Sequence, residues 1–179
     1  MKLTVREIVI FGMLGAVIFV SKLFFEFLPN VHIIGVFTVA MTLVYRVKAL
    51  IPLYIFIFIT GFYYAFIVGG ILWWGPYLYI WTVLWAVTML LPKKMPVWLK
   101  PIVYSSVCAL HGFCYGTLYA PYQALVFGLD FNKTVAWIIS GLPWDAVHGV
   151  SNFFLGLLIC PLVKVMSMFQ KQANKNLRD

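Results

Sequence analysis

Long apolar runs, broken by short polar or turn-forming strings, make up almost all of this chain. A helix that crosses a bilayer needs about 20 predominantly apolar residues. Runs of that kind fall at roughly 6–27, 31–45, 49–69, 73–91, 98–124 and 134–166. The interruptions carry turn chemistry: Leu28-Pro29-Asn30, Arg46-Val47-Lys48, Val68-Gly69-Gly70, Pro92-Lys93-Lys94-Met95-Pro96, and Gly128 to Lys133. The second run is short, which predicts little tilt or a start inside the membrane. The pattern predicts an all-α integral membrane protein, with one domain of six transmembrane helices over 1–179.

Composition strengthens this reading. Of the 179 residues, 64% are hydrophobic and 10% are charged. A water-soluble domain of this size cannot hide that much apolar surface, so the excess must face lipid. The net charge of +8 taken alone fits a nucleic-acid partner, but the bases stand at the ends of apolar runs. With six spans, all the Lys and Arg residues except Lys22 and Lys133 fall on the side of the termini. The positive-inside rule then places both termini in the cytoplasm. Trp73, Trp74 and Trp98, near span ends, suit an interfacial aromatic belt. The run from Ile8 to Phe25 has no small-residue cleavage pattern and is expected to be a retained first helix. The tail from Gln170 to Asp179 is polar and expected to lie in water. Cys108, Cys114 and Cys160 fall inside spans and are expected as free thiols.

Polar residues inside spans are costly, and they mark where function resides. Gly141, Asp145, His148 and Asn152 are spaced i, i+4, i+7, i+11 and share one helical face. Two readings stand, a ligand site and a polar seam that hydrogen-bonds neighbouring helices. Pro143 is expected to kink this helix or to start its inner part. Lys22, inside the first helix, either snorkels outward, pairs with Glu26 or Asp145, or meets an acidic ligand.

Tyr77, Trp81 and Trp85 form one aromatic stripe, and His111, Tyr115, Leu118, Tyr119 and Tyr122 form another. Both read as packing, or as the wall of a pocket for a flat organic ligand. His111 and His148 have no further His or Cys at ligand spacing, so neither a metal nor a cofactor is expected. Gly12-x-x-x-Ala16 is a small-residue face that allows close helix approach. There is no phosphate loop, no Gly-x-Ser-x-Gly, no His-Glu-x-x-His and no paired glutamates within a span. The chain is not expected to be an enzyme, and any ATP-driven role needs separate subunits.

Three strings carry a family resemblance: Leu28-Pro29-Asn30, Trp73-Trp74-Gly75-Pro76-Tyr77-Leu78-Tyr79, and Ser140-Gly141-Leu142-Pro143-Trp144-Asp145 through His148. With six helices, the basic fourth-to-fifth loop and the small pair in helix one, the whole chain resembles the substrate-binding S-components of energy-coupling factor (ECF) transporters. The resemblance implies high-affinity binding of a vitamin from outside. It also implies docking on a shared membrane coupling subunit driven by two cytoplasmic ATPases. The family's docking motif in helix one is Ala-x-x-x-Ala; the matching positions here are Gly12 and Ala16, and the glycine departs from that pattern. The implied ligand residues are Lys22, Asn30, His32, Trp74, Tyr77, Trp81, His111, Tyr115, Tyr119, Trp144, Asp145 and His148.

The Leu-Pro-Asn and Trp-Trp strings resemble S-components linked to cobalamin or its lower-ligand base. Another vitamin such as pantothenate is the alternative, although a carboxylate ligand calls for more cationic donors than Lys22 alone. A stand-alone secondary transporter and a membrane enzyme are the competing classes. The first is typically built from repeats, and none is visible here.

Overall fold

The structure, a computed structural model, describes residues 3–175, with side chains described to residue 171. Lys2, residues 176–179 of the polar tail and the side chain of Lys175 lie outside that description. Among the described residues the chain is helical and has no strand: α1 (Val5–Phe24), α2 (Ile34–Tyr45), α3 (Leu50–Tyr63), α4 (Tyr77–Met89), α5 (Leu99–Phe113), α6 (Tyr115–Phe127), α7 (Phe131–Gly156) and α8 (Ile159–Lys175).

The helix ends follow local chemistry. Thr4 and Glu7 close a reciprocal capping box at the start of α1. Asp130 caps α7 through the Lys133 N–H, at 2.8 Å. Gly128, at φ 63°, ends α6 in the left-handed region that glycine adopts without strain.

Two helical stretches, Val5–Phe24 and Ile34–Val68, are long and apolar enough to cross a bilayer. The second doubles back on itself. Arg46, at φ 55°, ends α2 and opens a 3₁₀ turn over Arg46–Ala49. If α3 continued the axis of α2, Tyr54 would lie about 12 Å beyond Arg46. Instead the Arg46 guanidinium donates to the Met89 carbonyl at the end of α4, while the Tyr54 hydroxyl donates to Leu78 near its beginning. So α2 and α4 run parallel, and α3 returns between their levels. Nearly every residue of α2 is buried. Its 12 residues make it the short central post of the bundle, clad on all sides by other helices.

Two expected spans are not single helices. The 98–124 stretch is α5 and α6, broken at Cys114. The 134–166 stretch is α7 and α8, bent by 53°. The break falls just before Pro161, which stands in the first turn of α8, where a proline's missing N–H costs no helical hydrogen bond. Pro143, the expected site of a kink, lies inside α7 without ending it. Counted as one bent span, α7 and α8 are the third stretch able to cross a membrane.

The most extensive helix pair is α5 with α7, and glycines make it close. A Cβ on Gly112 would stand 2.9 Å from the Gly149 backbone, and one on Gly156 would stand 2.7 Å from the Cα of Ser105. Close backbone approach through small residues is a membrane-helix packing mode. Large apolar side chains are exposed along most helices, among them Val9, Met13, Val20, Phe62, Leu110, Leu125, Ile139 and Phe154. An apolar exterior of this extent, on a chain with two or three stretches able to cross a bilayer, suits contact with lipid.

Arg46, Lys48, Lys93 and Lys94 collect at one end. Lys48 pairs with Glu7 at the start of α1, and Arg46 binds the end of α4 just before Lys93 and Lys94.

Candidate functional site

The opposite end of the bundle holds a cavity of about 520 Å³. Its walls come from five places: Asn30 after α1, Tyr64 and Trp73 from the turns after α3, Tyr77 on α4, and the faces of two further helices. Tyr115, Gly116 and Tyr119 line it from α6; Trp137, Gly141, Trp144 and Asp145 line it from α7. A smaller space of about 180 Å³ adjoins it, lined by Lys22, Glu26 and His32, and it shares Asn30, Tyr64, Tyr77 and Tyr115 with the larger cavity.

Asp145 joins the seam and the cavity. Both of its carboxylate oxygens accept from the Gly116 N–H, at 3.0 Å. Gly116 is the second residue of α6, so its N–H has no partner within that helix. Asp145 thus caps α6 from a neighbouring helix, with only 6% of its surface exposed, and its remaining lone pairs line the cavity. Two turns deeper on the same face, Asn152 donates to the Cys108 carbonyl across the α5–α7 contact. It lies in the seam and does not line the cavity. Gly141, one turn outward from Asp145, has nothing within 4 Å of where a Cβ would be.

The aromatic stripe of α5 and α6 survives the break at Cys114. Ring centroids are 6.1 Å apart for His111 and Tyr115 and 6.2 Å for Tyr115 and Tyr119. Tyr119 stacks on Trp137 at 5.8 Å and 27°, and its hydroxyl donates to the Trp73 carbonyl.

Below this wall lies a contiguous buried group. His32 stands 4.6 Å from His148 and 5.5 Å from Trp81; Trp81 stands 5.4 Å from His111. Each of these four rings has one buried nitrogen without a hydrogen-bond partner in the chain. Buried polar groups left unpaired cost about 1–3 kcal/mol each, so a cluster of them marks a place where the fold has not been optimised for stability. No group of three or more His, Cys, Asp or Glu among the described residues is arranged to hold a metal ion.

The loop after α1 is tied down over this floor. Asn30, at φ 58°, adopts the left-handed conformation that asparagine tolerates better than most residues. Its side-chain amide donates to the Trp144 carbonyl and its own carbonyl accepts from the Ser151 hydroxyl.

Of the residues expected at the site, Asn30, Tyr77, Tyr115, Tyr119, Trp144 and Asp145 line the main cavity, and Lys22 and His32 line the adjoining space. Trp81, His111 and His148 are buried beneath. Trp74 faces elsewhere: its indole N–H donates to the Ile57 carbonyl and its ring lies over Gly61. Its neighbour Trp73 lines the cavity. Lys22 neither snorkels nor reaches Asp145. It is buried, 3.3 Å from the Glu26 carboxylate, and donates to the Tyr64 hydroxyl at 2.7 Å.

Trp137 and Tyr64 were absent from the sequence expectation. Trp137 stands one turn before Gly141, so extending the Gly141–Asp145 stripe outward finds it. Tyr64 opens the π turn at the end of α3 and carries no periodic signal. On helix one, Gly12 meets nothing within 4 Å of a built Cβ, Ala16 is exposed, and Gly15 is the glycine that packs inward, against Ile55 and Pro52. No protein-family model matches this chain, and no curated protein and no solved structure matches it either.

Proposed function

We propose that this chain is a membrane-embedded vitamin-binding subunit, the S-component of an ATP-driven ECF importer, with six spans and both termini in the bacterial cytoplasm. The observation that carries the proposal is the aromatic-walled cavity of about 520 Å³ at the end of the bundle away from Arg46, Lys48, Lys93 and Lys94. It falls within the size range of small-molecule sites, and a few convergent polar groups stand among rings. The clustering of Arg46, Lys48, Lys93 and Lys94 at the other end supports an outward-facing cavity under the positive-inside rule. The unpartnered Gly12–Ala16 face of α1 supports docking on a coupling subunit, because a small-residue face left open within the chain suits the close approach of another helix.

The sequence resemblance leans to cobalamin or a related corrinoid. The cavity's volume supports a one- or two-ring vitamin seated whole, and a corrinoid only through the base of its lower ligand. Pantothenate has less support, since no basic side chain lines the main cavity.

The test is uptake of labelled vitamins by cells expressing the chain alone or with a coupling subunit and its two ATPases. Uptake only with the ATPases present, together with tight binding by the purified chain, is the expected result. Ion-gradient-driven uptake by the chain alone overturns it in favour of a secondary transporter.

A further inference from the structure

The main cavity has one formal charge on its lining and a ring on nearly every other wall. That charge is the Asp145 carboxylate; no Lys, Arg or His lines the space. Lys22, in the adjoining space, is already engaged by Glu26 and by the Tyr64 hydroxyl, and it lies 4.7 Å from the centre of the Tyr64 ring. The pair offers the cavity no net charge. A desolvated carboxylate beside stacked aromatic faces attracts cations and repels anions.

Spacing along α7 gives the ligand a shape. Trp137, Gly141 and Asp145 follow one another at single helical turns, about 6 Å apart. Trp137 stacks on Tyr119, Gly141 leaves open space, and Asp145 closes the inner end. We infer that this cavity selects a flat organic cation, an aromatic ring carrying a quaternary or azolium nitrogen, over neutral and anionic ligands of the same shape. Its ring lies against Trp137 and Tyr119, and its charged centre crosses Gly141 to meet Asp145. This inference rests on the vitamin-binding reading of the same cavity and narrows it to a substrate class.

The experiment is titration of the purified chain in detergent, read by tryptophan fluorescence and calorimetry. One series varies only charge: 1-methylnicotinamide (cation), nicotinamide (neutral) and nicotinate (anion). A second compares vitamins: thiamine as an azolium, pantothenate as an anion and cobalamin as a large ligand.

The expected result is binding of the cation about tenfold or more tighter than its neutral counterpart, and of thiamine over pantothenate. Asp145→Asn should bring cation and neutral ligand to near-equal affinity. Gly141→Leu, which enters open space and leaves the Asp145 cap intact, should abolish binding of both while the chain stays folded. It therefore tests the position even if Asp145→Asn does not fold. Equal or tighter binding of the neutral or anionic members overturns the inference. Binding of cobalamin or pantothenate with none of either cation removes the cation preference and leaves the vitamin-binding reading standing. Silence from every ligand removes both.

Discussion

Asp145 serves two ends with one carboxylate. It supplies the partner that the Gly116 N–H lacks, and it charges the cavity wall. Removing it leaves a buried donor unpaired, which costs about 1–3 kcal/mol, and removes the site's one acidic contact. Asp145→Ala is therefore expected to lower both the melting temperature and ligand affinity, the latter by roughly tenfold to a hundredfold. Loss of stability with unchanged affinity would leave Asp145 a cap only. Gly116→Val probes the same contact from the other side. A Cβ there would stand 2.5 Å from a carboxylate oxygen of Asp145, so the acid must swing away, and affinity should fall as in Asp145→Ala. Lys22 shows what residue-level reading misses. Its partner four residues on, Glu26, was legible as a helical pair; its contact with Tyr64, which lies 42 residues away, was not.

At the scale of elements, the two glycine-bearing helix faces should behave oppositely. Gly149 lies in the α5–α7 contact, where a Cβ would come within 2.5 Å of the Phe113 ring. Gly149→Ala should force α5 and α7 apart, at about 1–3 kcal/mol, measured as a fall of several degrees in melting temperature. Gly12 meets nothing. Gly12→Leu should leave melting temperature and ligand affinity unchanged and abolish uptake by the assembled importer. Wild-type uptake by that variant would remove this face from the coupling interface. The sequence singled out Gly12 and Ala16 by their spacing of four. It did not single out Gly112, Gly149 and Gly156, because their partner helix is distant along the chain and spacing within one helix does not name the neighbour.

For the whole molecule, the separation of cavity and basic cluster to opposite ends makes a testable statement about orientation. Lys93→Cys places a thiol in the loop before α5, and Asn132→Cys places one in the exposed first turn of α7, at the two ends of the α5–α6 segment. With Cys114, the exposed native cysteine, replaced by serine, a membrane-impermeant maleimide should label the Asn132 variant on intact cells. It should label the Lys93 variant only after permeabilisation. The reverse pattern would invert the proposed topology and point the cavity inward.

Several features were determined by the sequence alone: an apolar helical chain, its turn strings, and the polar face through Asp145, His148 and Asn152. All are local, set by hydropathy and by contacts within a few turns. The tertiary structure decided the rest. It turned Trp74 away and Trp73 in, broke the long fifth and sixth runs at Cys114 and Leu157, buried Lys22 against Tyr64, and tied Asn30 to Trp144 and Ser151. Each of these depends on which helices become neighbours, and in a chain apolar on nearly every face hydropathy does not choose among them. Close packing through Gly112, Gly149 and Gly156, and the pairing of the few buried polar groups, make that choice.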